Sequence, residues 1–102
     1  MKIEKIYILI GKDEKRYKRK VNARVFEKEG IKLAIVGNCK KGYSLTHIQT
    51  GLAITFAYKL KDITKNLNSI IERFKKIPEE YITNGIKLFN EAEFEEWIIW
   101  LK

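Results

Sequence analysis

The sequence predicts an α+β fold, with an antiparallel sheet of about five strands followed by two or three helices packed on one face. Three observations carry this. Up to residue 58, apolar and polar residues alternate with the period of two that strands require. From residue 63, apolar residues recur at helical spacing. The two regimes join at residues 43–58, YSLTHIQTGLAITFAY, which read as two short strands meeting at Gln49-Thr50-Gly51. A chain of 102 residues has room for one core, so residues 1–102 are expected to form a single domain. Residues 1–58 should be mainly β and basic, and residues 59–102 mainly α, with an acidic end.

Residues 2–10 place Ile6, Ile8 and Ile10 on one face and Ile3, Lys5, Tyr7 and Leu9 on the other. Apolar residues on both faces predict a strand well inside the sheet. The polar run 11–15 has hairpin length. Residues 16–28 form a long strand, with Tyr17, Arg19, Val21, Ala23 and Val25 facing one way and Arg16, Lys18, Lys20, Asn22 and Arg24 the other. After a turn at Glu29-Gly30, residues 31–36 form a third strand. Gly37 and Gly42 bracket the most loop-like segment, and strands at 43–49 and 52–58 complete the sheet.

Asp62 is placed as the N-cap of an amphipathic helix in which Ile63, Leu67, Ile70, Ile71 and Phe74 share a face. Pro78 ends that helix and opens a short one over 78–83. Asn84-Gly85 fits both a hairpin turn and a helix stop, and the Pro-Glu-Glu start favours the stop. An extended piece over 86–89 follows. Asn90 with Glu93 fits a capping box for a last helix, 91–101, presenting Phe94, Trp97, Ile98 and Leu101.

The net charge of +8 is unevenly placed. Residues 1–43 carry 13 Lys/Arg against 5 Asp/Glu, residues 44–77 carry 6 against 2, and residues 78–102 carry 2 against 6. Such polarity points to an acidic partner, whether nucleic acid or protein. The strongest feature is the basic face of the second strand. Arg16, Lys18, Lys20 and Arg24 share it, and Lys40 and Lys41 extend it from a loop. A sheet face with basic and aromatic residues binds single-stranded nucleic acid by charge and stacking. Trp100, beside the stripe of the last helix, is the candidate for contact with a protein partner.

Enzyme chemistry has little to work with. His47 is the single histidine and Cys39 the single cysteine, so any Ser/Cys–His pair must use His47, and no acid lies near it in sequence to orient the ring. A structural zinc site needs four Cys/His ligands, and no glycine-rich phosphate loop is present. The reading is therefore not an enzyme, with no metal and no cofactor. No apolar run approaches the ~20 residues that cross a bilayer. The charged start does not resemble a secretory signal, and a lone cysteine suits a reducing compartment, so a cytoplasmic location is expected.

In residues 44–54, SLTHIQTGLAI, the Thr46-His47-Ile48 triplet and the Thr50-Gly51 pair resemble a segment of small proteins of phages and other mobile elements. There a Thr-His-Ile, a spacer, a Thr-Gly and an apolar strand precede a helix. The similarity covers about a tenth of the chain. It implies a phage-like origin and, by analogy, a non-enzymatic protein that binds a host protein or ribonucleoprotein, as an anti-CRISPR-like inhibitor of host defence does. Two other readings stand beside it. One is nucleic-acid binding through the basic sheet face, and the other is a small enzyme using His47. Exposed strand edges also allow a homodimer.

Overall fold

The structure is a computed structural model that describes residues 2–96. The chain runs through β1 (Lys2–Lys12), β2 (Lys15–Lys28), β3 (Ile31–Asn38), β4 (Gly42–His47) and β5 (Leu52–Ala57). Three helices follow, α1 (Leu60–Lys65), α2 (Leu67–Lys75) and α3 (Glu79–Glu91), and then the two-residue strand β6 (Glu93–Phe94). The five main strands form an antiparallel meander in sequence order, so the α+β expectation holds.

Tight turns set the register. Asp13 and Glu14 turn the first hairpin with φ of 51° and 66°, and Glu29 and Gly30 turn the second with φ of 52° and 79°. Paired positive φ values give the turn whose twist matches that of the flanking strands. Asn38 shapes the third turn, its Oδ1 accepting the backbone N–H groups of Lys40 and Lys41 at 3.0 and 2.9 Å.

The core lies between one sheet face and the first two helices. Leu33, Ile35 and Leu45 meet Ile63, Ile70 and Ile71, with Phe26, Ile54 and Leu67 packed around them. Each fully buried Leu or Ile contributes about 1.5–3 kcal/mol relative to exposure. The Lys75 ammonium donates to Glu29 at 2.7 Å and ties the end of α2 to the β2–β3 turn.

The helical half departs from the sequence reading in several places. Asp62 lies in the first turn of α1 and does not cap it; the N-cap is Lys59. The long amphipathic helix is broken at Asn66, whose side-chain amide donates to the Asp62 carbonyl at 2.8 Å. The apolar stripe survives the break, because Ile63, Ile70 and Ile71 all reach the core. Pro78 is the N-cap of α3. That helix runs straight through Asn84-Gly85, so the pair is neither a stop nor a hairpin. Gly85 makes a close approach: a Cβ there would stand 3.0 Å from Cγ2 of Thr50, which would have to shift by a few tenths of an ångström. Residues 86–89, expected to be extended, are helical, and Asn90 and Glu91 close α3. The last helix therefore does not start at Glu91, and the rest of it, with Trp97, Ile98, Trp100 and Leu101, lies outside the described residues.

β1 was expected inside the sheet, yet it stands at an edge. Its apolar residues are used because the β1–β2 ribbon curls. β2 pairs with β3 only from Ala23 onward, leaving the lower ribbon free of the main sheet. The Leu9 N–H nevertheless donates to the Gly51 carbonyl, in the β4–β5 turn, at 2.8 Å. Leu9 pairs with Lys18, eight residues before Phe26, and a straight strand of that length would span about 26 Å. The ribbon must bend back toward the turn. Ala23, Ala34 and Thr46, on the sheet face away from the core helices, are buried, and the half-buried Ile6, Ile8, Ile10 and Val21 lie on that same face. β6 then pairs in parallel with β2 at Tyr17 and Lys18, on the edge that β3 leaves open.

Candidate binding surfaces

The 43–58 stretch holds the ribbon, the sheet and α3 together. His47 ends β4 and is 5% exposed. Its Nδ1 and the Thr50 hydroxyl share a hydrogen bond of 3.0 Å, and its ring packs on Phe74 at 4.8 Å between centroids. Thr50 Oγ1 also accepts the Leu52 N–H at 3.3 Å. Burial pushes the imidazole pKa below its ordinary value, because the charged ring would lose its hydration. Next to it, Gly51 (φ +68°) touches both neighbours: a Cβ would stand 2.7 Å from the Phe89 ring and 2.9 Å from the Leu9 nitrogen. His47 is thus a neutral fastener of the β4–β5 turn.

This placement counts against nucleophilic chemistry. Cys39 is exposed in the turn before β4, whereas His47 is at the far end of that strand. The five steps between Gly42 and His47 span about 17 Å. The hydroxyl of Thr50 orients the ring, where a Ser-His-Asp triad uses a carboxylate. Among the described residues, no three His, Cys, Asp or Glu side chains gather to hold a metal ion. No described helix is long and apolar enough to cross a membrane.

The basic face of β2 is divided in two. Strand alternation puts Arg16, Lys18, Lys20 and Arg24 on the face that also carries Phe26, but Phe26 packs into the core. Arg24 stands across from the buried Ile35, so the basic surface continues the core face where helix cover stops. Lys18 is withdrawn from it. Its ammonium donates to the Asn90 carbonyl at 3.4 Å and lies 4.5 Å from the Phe94 ring centre and 5.3 Å from that of Phe89. That cation holds α3 and β6 to the ribbon by cation–π attraction. Arg19, on the other face, forms a two-pronged bond to Glu95 at 2.9 and 3.0 Å. This pairing holds the Glu95 carboxyl below its ordinary pKa. The Tyr7 hydroxyl donates to Glu96 at 2.9 Å, and its ring meets Phe94 edge-on at 4.9 Å. The acidic C-terminal segment is therefore partly consumed by the ribbon it follows.

Arg16, Lys20 and Arg24 remain exposed, and none forms an ion pair with a described residue. Lys20 lies 5.9 Å from the centre of the Tyr7 ring. Arg24 borders a cleft of about 190 Å³ shared with Ile3, Asn22, Ile35 and Tyr43. Lys40 and Lys41 are exposed in the β3–β4 turn. Trp100 lies outside the described residues.

A larger cavity, about 320 Å³, opens between β5, the end of α2 and the start of α3. Its lining is largely apolar, with Leu52, Ile54, Phe74, Ile77 and Tyr81 around His47 and Thr50. Sequence reasoning missed it because no motif marks it. The one available signal was that residues 52–57 carry no charge in a chain that is one-third charged. No protein-family model, curated protein or solved structure matches the chain.

Proposed function

We propose that this is a non-enzymatic binding protein whose curled basic ribbon engages an acidic surface on a host protein or ribonucleoprotein. The observation that carries this reading is the set of Arg16, Lys20 and Arg24, exposed on one face and in no ion pair with a described residue. Lys18 and Arg19 are tied to the C-terminal segment, whereas these three charges, with the exposed Lys2, Lys5, Lys12 and Lys15 of the same ribbon, are available for a partner. The structural use of His47 further favours binding over catalysis. The phage-like segment at 44–54 supports a host component as the partner and inhibition of a defence system as the outcome.

A second reading rests on the same three cations with the Tyr7 ring beside Lys20, as a surface for single-stranded nucleic acid. Titration with labelled single- and double-stranded DNA and RNA, at ~50 and ~200 mM salt, separates the two. Three phosphates neutralised on a single strand weaken affinity about twentyfold between those salts. Such a loss, abolished in R16E/K20E/R24E, establishes the nucleic-acid reading. No binding at low salt leaves the protein or ribonucleoprotein surface, which is then sought by capture from host lysate with the same triple variant as control. Capture that the triple variant retains in full would overturn the assignment to the ribbon.

A further inference from the structure

β5 is an edge strand with only one of the usual protections. Among the described residues it pairs with β4 alone, so its outer row of N–H and C=O groups meets no strand. Natural edges are blunted by lysine, proline or bulges that turn the edge away. The residues of β5, LAITFA, include no charge and no proline; Leu45 pairs with Thr55 and Thr46 with Ala53, so a single bulge at Ile54 is its one protection. Phe56 is 51% exposed and Tyr58, just past the strand, 76%.

A groove runs beside this edge, with α2 as its other wall. The 320 Å³ cavity at the His47 end shares Ile54 with a second cavity of about 150 Å³. The second shares Thr55, Ile70 and Arg73 with a third of about 280 Å³ that continues to Ala57 and Asp62. The three follow the whole of β5, about 20 Å of strand. The His47 end is apolar, and the middle carries Arg73, exposed and in no ion pair with a described residue.

We propose that this groove receives an extended segment of a partner protein as an added strand on β5. A large apolar side chain of that segment fills the cavity beside His47 and Tyr81, and a carboxylate two residues away pairs with Arg73. Main-chain bonds to the open edge supply affinity, and the two side-chain positions supply selectivity. Residues two apart on a strand point the same way and are separated by ~6.6–6.8 Å, so both reach into the groove together. Charge favours such a partner over a second copy. Pairing β5 with itself would bring Arg73, Lys59 and Lys61 of two molecules, each carrying +8, to one seam. The surface is separate from the basic ribbon and stands or falls without it.

The test is selection of displayed random hexapeptides on the full chain. The best synthetic peptide is then titrated against wild type, Arg73→Glu and Lys20→Glu, both exposed positions. The expected peptides are rich in β-branched residues, with a large apolar residue two positions from an acid. Their affinity falls at least tenfold in Arg73→Glu and is unchanged in Lys20→Glu, and backbone amides of residues 52–57 gain protection from hydrogen exchange. Failure to enrich any peptide, equal affinity for Arg73→Glu, or unchanged exchange in β5 would overturn the proposal. A concentration-dependent dimer with β5 amides protected in the absence of peptide would overturn it too, in favour of a second copy.

Discussion

The β1–β2 ribbon and the β4–β5 hairpin are built from the same antiparallel geometry, yet their surfaces are opposite in character. The ribbon carries charge along its length, from Lys2, Glu4 and Lys5 to Lys20 and Arg24, whereas β5 carries none. The ribbon's edge is fastened, since Leu9 donates to Gly51 and β6 pairs with β2. Among the described residues no strand covers the outer edge of β5, and a groove runs alongside it. The two proposals assign a different kind of recognition to each. In the first, exposed charges of the ribbon steer an acidic partner. In the second, cavities and open backbone beside β5 select a shape.

Several substitutions break or sharpen that contrast. Leu45→Ala should have the largest effect, because Leu45 is fully buried beneath the hairpin at the centre of the core. A loss of about 2–5 kcal/mol is expected in urea denaturation. Gly51→Ala attacks the point where ribbon and hairpin meet. The new Cβ would crowd Phe89 and the Leu9 nitrogen at a positive φ, so a loss of about 2–4 kcal/mol is expected from strain and overpacking together. Faster exchange of the Leu9 amide by NMR would confirm that the ribbon has come unfastened.

The hairpin should also respond to acid through His47, while the ribbon has no equivalent group. Its pKa is lowered on folding, so the unfolded chain binds the proton more readily. Stability from the neutral ring is complete above the unfolded value of 6.5 and declines as pH falls below it. The slope reaches at most about 1.4 kcal/mol per pH unit. Thermal unfolding between pH 7.5 and 5.5 should show a falling Tm in wild type and a flatter profile in His47→Gln. The smallest effect is expected from Arg19→Ala. It removes the bond to Glu95, but Arg19 is half exposed, and about 0.5–1 kcal/mol is a fair upper range by calorimetry.

The contrast explains which parts of the molecule were legible in its sequence. The strands and the core stripe of Ile63, Ile70 and Ile71 were readable because burial imposes a period on side chains. The edge position of β1 was not, because apolar residues on both faces are also what a curling ribbon needs. Asn84-Gly85 misled for a similar reason: the pair favours a turn in isolation, but here Gly85 lets a helix pass close to Thr50. Alternation placed Arg16, Lys18, Lys20 and Arg24 on one face correctly. It did not show that Lys18 is held by Phe89, Phe94 and the Asn90 carbonyl, contacts that span more than seventy residues. The groove along β5 was invisible, since it is made by the space between elements.

The most direct test of the account is partner capture from host lysate with wild type and R16E/K20E/R24E side by side, washed at ~50 and ~200 mM salt. The account predicts a partner held by wild type at low salt, weakened at the higher salt and lost with charge reversal. Equal capture by the two proteins at both salts, or no partner at either, would contradict it.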